Sequence, residues 1–311
     1  MTSPQQIEIP PPSPDDVLYE KRETFAVITL NRPVVLNAIN WSIQRRLWWA
    51  LGERKDDDVK AVILTSNGRA FSAGGDIQST PPPDKDPTPS GMQINLKIWE
   101  MQKPVIAAVR GYAVGQGHEL AGMCDMTVAS EDAVFGELQI RHSFGPPILV
   151  TPFLTGIKQA KEILMLGERI SAQDALRLGI VNRVVPADEL LSTAEDMARK
   201  MAALPQKTVR SNKLLVNRVY ELAGFHQALA YRRPHHRRHP GHNRRGTGPP
   251  PQGPPRTGLG GIPGLARREL HTTPVGVHAV HGCAGKQGNS PGAPGARPRK
   301  RRRGARPCAT P

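Results

Sequence analysis

Two stretches place small residues where a strand gives way to a loop or a helix. One is Ala70-Phe71-Ser72-Ala73-Gly74-Gly75-Asp76-Ile77. The other runs from Lys103 through Val105–Val109 to Gly111-Tyr112-Ala113-Val114-Gly115-Gln116-Gly117-His118-Glu119-Leu120. At such junctions main-chain N–H groups lose their ladder partners and can point at a ligand. Neither stretch has the lysine of a phosphate-cradling loop or the spacing of a dinucleotide fingerprint. The second also carries Glu119, an acidic side chain in the first turn of an apolar helix. Residue type alone leaves two roles open for it. It can satisfy free N–H groups at a helix start, or it can move a proton, since burial raises a carboxyl pKa toward neutrality.

Elements must hold these residues in place, and the pattern of the chain supplies them. Val17–Glu20 and Thr24–Leu30 read as strands, and Ile43, Leu47 and Leu51 mark an amphipathic helix closed by Gly52 and Asp56–Asp58. Val59–Thr65, Val105–Val109, Met126–Ala129 and Ala133–Phe135 read as further strands, with a Pro-rich connection over residues 80–91. From Gly156 the reading is mainly helical. Ser171-Ala172-Gln173-Asp174 opens a helix as a capping box that Gly179 ends; Ile180–Val185 is a strand, and Ala187–Ala203 and Lys207–Ala230 are the last helices. The repeated β–β–α order predicts an α/β fold with a helical C-terminal part.

The chain has 311 residues and a net charge of +15, but the charge is not spread evenly. Residues 232–311 hold 17 Lys+Arg against one Glu, and the preceding 231 residues hold 25 basic and 26 acidic. The body is thus nearly neutral, so nucleic acid is not an expected partner of the folded part. Residues 232–311 contain 14 Pro and no Phe, Trp or Tyr. Such a stretch buries too little apolar surface to offset chain entropy, and it is expected to be a disordered Pro/Gly/Arg-rich tail. Three origins are open for it: a basic nucleic-acid-binding or metal-binding tail, a plain extension, or a GC-rich gene read out of frame. The last fits best, because the composition breaks inside a helix at Gln227–Ala230 with no cap or glycine. Residues 1–16 are expected to be a flexible leader and 17–231 the folded domain. Cys124 is the one cysteine before Cys283 and Cys308, no apolar run reaches membrane-spanning length, and the start lacks a signal peptide's basic and apolar regions. A cytoplasmic protein is expected.

The two glycine-containing stretches, in this order and separation, resemble the crotonase (enoyl-CoA hydratase/isomerase) superfamily. The likeness extends over about Val17–Ala230 and includes Arg32-Pro33 with Leu36-Asn37-Ala38, and Ile170–Ala175 with Leu178–Val181. It implies a spiral of ββα units followed by helices that mediate homotrimers, often paired as hexamers. It also implies an acyl-CoA substrate, with CoA arriving as part of the thioester and no metal or separate cofactor. Proton transfer beside a thioester puts negative charge on its carbonyl oxygen, and one preorganised N–H donor is worth about 2.7–4 kcal/mol to such a charge. By the resemblance those donors are the backbone N–H groups of Ala73 and Gln116, and Glu119 is the first catalytic glutamate. Ala38, Ala73, Gly74, Gly75, Asp76, Ile77 and Gln116 would line the thioester and the adenine end.

The family's second carboxylate aligns with Gln139, in Phe135-Gly136-Glu137-Leu138-Gln139-Ile140. A carboxamide can hold a water but cannot take its proton at pH 7. If the stretch is extended, Glu137 shares a face with Gln139 and can substitute, or it is a surface carboxylate. The simplest activity is 2-enoyl-CoA hydration or dehydration; isomerase, acyl-CoA hydrolase and an impaired non-enzyme with a nucleic-acid-binding tail are the alternatives. His142 and Ser143 are lesser polar candidates. His118 lacks a second His at helical spacing for zinc, Cys124-Asp125 reads as structural, Trp48 and Trp49 as core or subunit contact, and Arg69 as a solvated loop residue.

Overall fold

The structure is a computed structural model, and it describes residues 13–52, 58–79 and 88–231. The expectations for the tail, for residues 1–12 and for most of the Pro-rich connection lie outside the described residues. The leader expected to run to Asp16 is already folded at its end: Pro14–Asp16 form a turn of 3-10 helix capped by Ser13, and Asp16 is buried.

Strands β1 (Val17–Lys21) and β2 (Phe25–Leu30) form an antiparallel pair. Helix α1 (Trp41–Gly52) follows and buries Ile43, Leu47 and Leu51, as their spacing predicts. Three strand pairs come next: β3 (Ala61–Ser66) with β4 (Ala70–Ser72), β5 (Val105–Val109) with β6 (Tyr112–Val114), and β7 (Met126–Ser130) with β8 (Val134–Gly136). Helix α2 (Gly91–Glu100) follows the first of these pairs and α3 (Gln116–Gly122) the second. The first strand of each pair joins a large sheet and the second joins a small one. The large sheet has the order β1-β2-β3-β5-β7-β10, with β10 at Arg183–Val185, and is parallel from β2 onward. The small sheet is β4-β6-β8-β9, with β9 at Ile170–Ser171. Each of these three pairs therefore advances both sheets by one strand, as the repeated order in the sequence implies.

Parallel strands buried on both faces need continuous apolar runs, and Val105–Val109 is buried throughout. One face of the large sheet packs on α7 (Leu190–Ala202) through Leu190, Ala194, Met197 and Ala198. The other faces α1, α2 and the small sheet. Among the remaining described helices, α4 (Thr151–Leu154), α5 (Ile157–Leu166) and α6 (Ala172–Arg177) precede β10, and α8 (Gln206–Leu222) and α9 (Phe225–Tyr231) follow α7. The single helix expected over Lys207–Ala230 is two, because Gly224 takes φ +96° and turns the chain. That turn buries Phe225 against Trp99, with ring centroids 4.2 Å apart. The strand expected over Ile180–Val185 is shorter, since Ile180 and Val181 enter the core as part of the turn after Gly179.

Helix α8 is tied to the sheet by one lysine. The Lys213 Nζ donates to the Ile98 and Lys103 carbonyls at 2.9 and 3.3 Å and to Asp125 Oδ2 at 2.8 Å. Asp125 also accepts from the Val105 N–H at 2.7 Å. Burial raises the Asp125 pKa, and the Lys213 charge opposes that rise. A carboxyl whose folded pKa is raised costs stability when it ionises, and that cost fades as pH falls through the folded pKa. Lys213→Met should therefore destabilise by about 3 kcal/mol at pH 8, and the deficit should be smaller at pH 5, because acid favours the protonated form of the buried carboxyl. Urea denaturation of both proteins at the two pH values checks this; a deficit that grows in acid would contradict it.

Candidate active site

β4 and β6 pair in parallel, with Ala70 opposite Tyr112 and Ser72 opposite Ala113. Their C-terminal ends, and the loops that follow them, therefore lie side by side. The approach is close enough to exclude side chains. A Cβ on Gly74 would sit 2.8 Å from the Val114 carbonyl oxygen and 3.5 Å from the Gln116 nitrogen. A Cβ on Gly117 would sit 2.7 Å from the Ser72 oxygen. Gly115 takes φ +53° to swing the chain from β6 into α3. Glycine at these positions is what lets two main chains meet.

The amides around this contact are in different states. Ala73, expected as an oxyanion donor, donates its N–H to the Leu36 carbonyl at 2.9 Å. It is spent on the fold, which corrects that assignment. The Gly74 N–H goes to Ser72 Oγ at 3.1 Å and the Asp76 N–H to the Ile39 carbonyl at 3.0 Å. Gly75 forms a parallel bridge with Ile39 in which Gly74 accepts and Asp76 donates, so the Gly75 N–H faces away from Ile39. No hydrogen bond uses it among the described residues. The Gln116 N–H is the first of α3 and has no intrahelical acceptor. Gly75 and Gln116 are neighbours: a Cβ on Gly75 would lie 3.3 Å from Gln116 Oε1.

Glu119 sits one turn into α3, its N–H bonded to the Gly115 carbonyl at 3.0 Å, and the whole residue is 0% exposed. Beside it, His118 is buried edge-on to Phe135, and neither ring nitrogen has a hydrogen-bond partner among the described residues. Desolvation lowers its pKa, with Glu137 pulling the other way. The stretch after Glu137 is not extended: Leu138–His142 is a 3-10 helix, ended by Ser143 at φ +61°. Nor is Glu137 a surface carboxylate. It is buried and accepts from Gln139 Nε2 at 2.6 Å and Thr151 Oγ1 at 2.8 Å. That leaves Gln139 Oε1, buried and without a partner among the described residues, 3.1 Å from where a Gly115 Cβ would be.

The other candidates divide. Asp76 is committed to a buried pair with Arg32, Nη1 to Oδ2 at 3.1 Å, and the same Nη1 donates to the Ala38 carbonyl at 2.9 Å. Arg32, noted in the sequence only within its motif, thus clamps the Ala38 and Asp76 loops together. Asn37 works beside it, donating to the Asn67 and Ala70 carbonyls at 2.9 and 2.7 Å. Ile77 is exposed at the rim. His142, Ser143 and Arg69 are solvent-exposed. Cys124 is half-buried with its thiol on the Leu120 carbonyl, and burial pushes its pKa up. Trp48 packs on the core under the Lys97 ammonium, whereas Trp49 is exposed. Among the described residues no group of three or more His, Cys, Asp and Glu could hold a metal, and no helix is long and apolar enough to cross a membrane.

Comparison with known proteins shows the family. The family model described as enoyl-CoA hydratase/isomerase matches residues 20–248. A probable mitochondrial enoyl-CoA hydratase of Dictyostelium discoideum is 38% identical over 212 residues, covering 65% of this chain and 76% of that protein. A short-chain-enoyl-CoA hydratase of Clostridium acetobutylicum is 36% identical, covering 66% and 82%. Among solved structures, an enoyl-CoA hydratase/isomerase from Xanthobacter autotrophicus Py2 superposes with a TM-score of 0.65 at 37% identity, covering 70% of this chain and 84% of that one. A monofunctional enoyl-CoA isomerase of M. smegmatis does so with a TM-score of 0.55 at 33% identity, covering 64% and 91%. The chain belongs to the enoyl-CoA hydratase/isomerase family and is an enzyme of it.

Proposed function

We propose that the protein hydrates 2-enoyl-CoA thioesters, and runs the reverse dehydration, by stabilising a thioester enolate. The observation that carries this is that Gly75 and Gln116, whose amides have no acceptor among the described residues, lie on two loops in close main-chain contact, with the fully buried Glu119 one turn along α3. The substrate carbonyl oxygen accepts from both N–H groups. As water oxygen bonds to C3, the C2–C3 π electrons move toward the thioester and the oxygen gains charge, which fixed donors stabilise without reorganising. Glu119 takes the proton released by the water and returns it to C2, so one carboxyl serves both halves of the addition. Gln139 offers its Oε1 to the water, and Glu137 holds that carboxamide in place from the other side. Gly74, Asp76, Ile77 and Ala38 form the surrounding wall, with Asp76 acting through its pair with Arg32. CoA enters as part of the substrate, and the reaction asks for no metal or further cofactor.

One observation favours a second reading. Gln139 cannot accept a proton, so a single-carboxyl shift of the double bond, with Glu119 removing a proton from C2 and returning it at C4, is also within reach. Incubation with 2-enoyl-, 3-enoyl- and 3-hydroxyacyl-CoA, followed by mass spectrometry, separates the two: hydration changes the mass by one water and isomerisation leaves it unchanged.

The cytoplasm is the proposed compartment, and nucleic acid is not a proposed partner of the near-neutral body. A homotrimer, or a hexamer of two, is the proposed assembly. Its support is a solvent-facing apolar stretch on α8, where Leu214, Leu215, Val216, Val219 and Leu222 are all exposed. Patches of this kind mark interfaces.

Three outcomes are expected. Glu119→Gln should lower kcat by about 10²–10⁴-fold with thermal unfolding nearly unchanged; an unaltered rate would remove Glu119 from the chemistry. Gly75→Pro deletes the proposed donor N–H and should cost about 10²–10³ in kcat. Ala73→Pro, which deletes the bond to Leu36, should act on the unfolding temperature more than on kcat. If their effects are interchanged, the donor is Ala73 after all. Sedimentation velocity should find a trimer or hexamer that Leu215→Lys with Val219→Lys converts to monomer.

A further inference from the structure

Gln139 stands beside the proposed site because β8 pairs with β6, Gly136 opposite Val114. The Gly115 N–H donates to the Gly136 carbonyl at 2.8 Å, and the Gly115 carbonyl accepts from the Glu119 N–H. The segment after Gly136 therefore runs next to the turn that carries Gln116 and Glu119. A Cβ on Gly115 would lie 3.1 Å from Gln139 Oε1 and 4.0 Å from the Gly74 Cα, so this oxygen abuts the contact between the two loops. It is buried, and no donor reaches it among the described residues. A buried acceptor costs free energy until a donor arrives.

A carboxamide has an accepting end and a donating end, and turning it over would show the site a donor instead. The groups that fix its direction lie behind it. Among the described residues Glu137 has two partners. Gln139 Nε2 donates to its Oε2 at 2.6 Å, and the Thr151 hydroxyl donates to its Oε1 at 2.8 Å. Glu137 is 1% exposed and Thr151 0%, so bulk water does not compete for these bonds. Thr151 opens α4, which is seated on α3: a Cβ on Gly122 would meet Leu154 at 2.9 Å and Val150 at 3.3 Å. The hydroxyl is thus held by packing against the helix whose first turn carries Glu119.

We infer that Thr151 and Glu137 are positioning residues, which together hold the Gln139 carboxamide with its acceptor end toward the site. The ligand of that end is an O–H of the water that adds to C3. Without the hydroxyl, Glu137 Oε1 is buried and unpaired, the carboxyl turns toward another donor, and the carboxamide loses its fixed direction. The inference rests on the hydration reading above and extends it to residues that touch neither substrate nor water.

Two reactions of the full-length protein separate this role from general packing. One is hydration of but-2-enoyl-CoA. The other is exchange of the C2 protons of butanoyl-CoA in deuterium oxide, followed by NMR. In the proposed mechanism exchange uses Glu119 and the two amides but adds no water, so it does not depend on Gln139. Thr151→Val should slow hydration about tenfold, the usual worth of one buried hydrogen bond, and leave exchange nearly unchanged. Thr151→Ser keeps the hydroxyl and should restore most of the hydration rate. Should the valine variant unfold at the assay temperature, Glu137→Gln decides. Its Oε1 still accepts from Thr151, but its Nε2 faces Gln139 and turns that carboxamide over, so hydration should fall while exchange persists. An equal loss of both reactions in these variants, or a loss of neither, would overturn the inference and leave the proposed reaction standing. A wild type that exchanges protons without adding water, or does neither, overturns the proposed hydration and the inference with it.

Discussion

The close approach of two main chains is the constraint on which the site depends. β4 and β6 are short, three residues each, and contribute little on their own. Their parallel pairing matters because it brings the Ser72–Asp76 loop against the Val114–Gly117 turn with nothing between them but backbone. Any side chain at Gly74 or Gly117 would separate the two segments, and the Gly75 and Gln116 amides would then no longer border one space. Main-chain donors have the advantage that they cannot rotate away. Their direction is fixed by the same hydrogen bonds that build the sheet, so in the proposed reaction they would need no reorganisation as charge develops.

Polar residues buried around the site fall into two groups with different physical roles. Arg32, Asp76, Asn37 and Ser72 are committed to one another and to carbonyls, and they fix loops that have no regular ladder of their own. Glu119, Glu137 and Gln139 lie on the inner side, and their arrangement is directional. Glu137 uses both oxygens, one on Thr151 and one on Gln139, so the carboxyl is held in place and the Gln139 carboxamide is oriented with Oε1 turned the other way. A glutamine there is an acceptor of fixed direction and not a base. In the proposed reaction Glu119 is therefore the carboxyl that moves the proton, and a single group serves both directions.

The sequence was readable where a local pattern decides the structure. Val105–Val109 came out to the residue because a buried parallel strand needs an unbroken apolar run. Ile43, Leu47 and Leu51 gave α1 because their spacing is that of one helical face. It was unreadable where a distant partner decides. β4 and β6 are too short to announce themselves and exist only as a pair. Helix α2 was hidden by the prolines before it, although Ser90 and Gln93 form a reciprocal cap that could have flagged its start. Leu138–His142 alternates like a strand, yet Gly136 at φ +155° lets the chain turn and tighten into a 3-10 helix. The choice between Ala73 and Gly75 as donor is of the same kind. Both lie in one glycine-containing loop, and Leu36 and Ile39, far upstream, determine which amide is consumed.

Those upstream partners give the first ββα unit a part in the chemistry that its sequence does not suggest. Leu36 and Asn37 both take left-handed backbone, φ +54° and +53°, an uncommon state for residues other than glycine. The strain is held by the buried contacts of Asn37, by the Arg32 amide on its side chain and by the Ser72 hydroxyl on its carbonyl. This twist presents the Leu36 carbonyl to Ala73 and the Ile39 backbone to Gly74 and Asp76. With its neighbours on both sides tied down, Gly75 is the one residue of Ala73–Asp76 whose N–H has no acceptor among the described residues. In the proposed reaction the binding of the carbonyl oxygen thus depends on a turn remote from it. In that reading the position after Gly115 can carry glutamine without losing the donor, because the group that would bind is main chain and not the side chain.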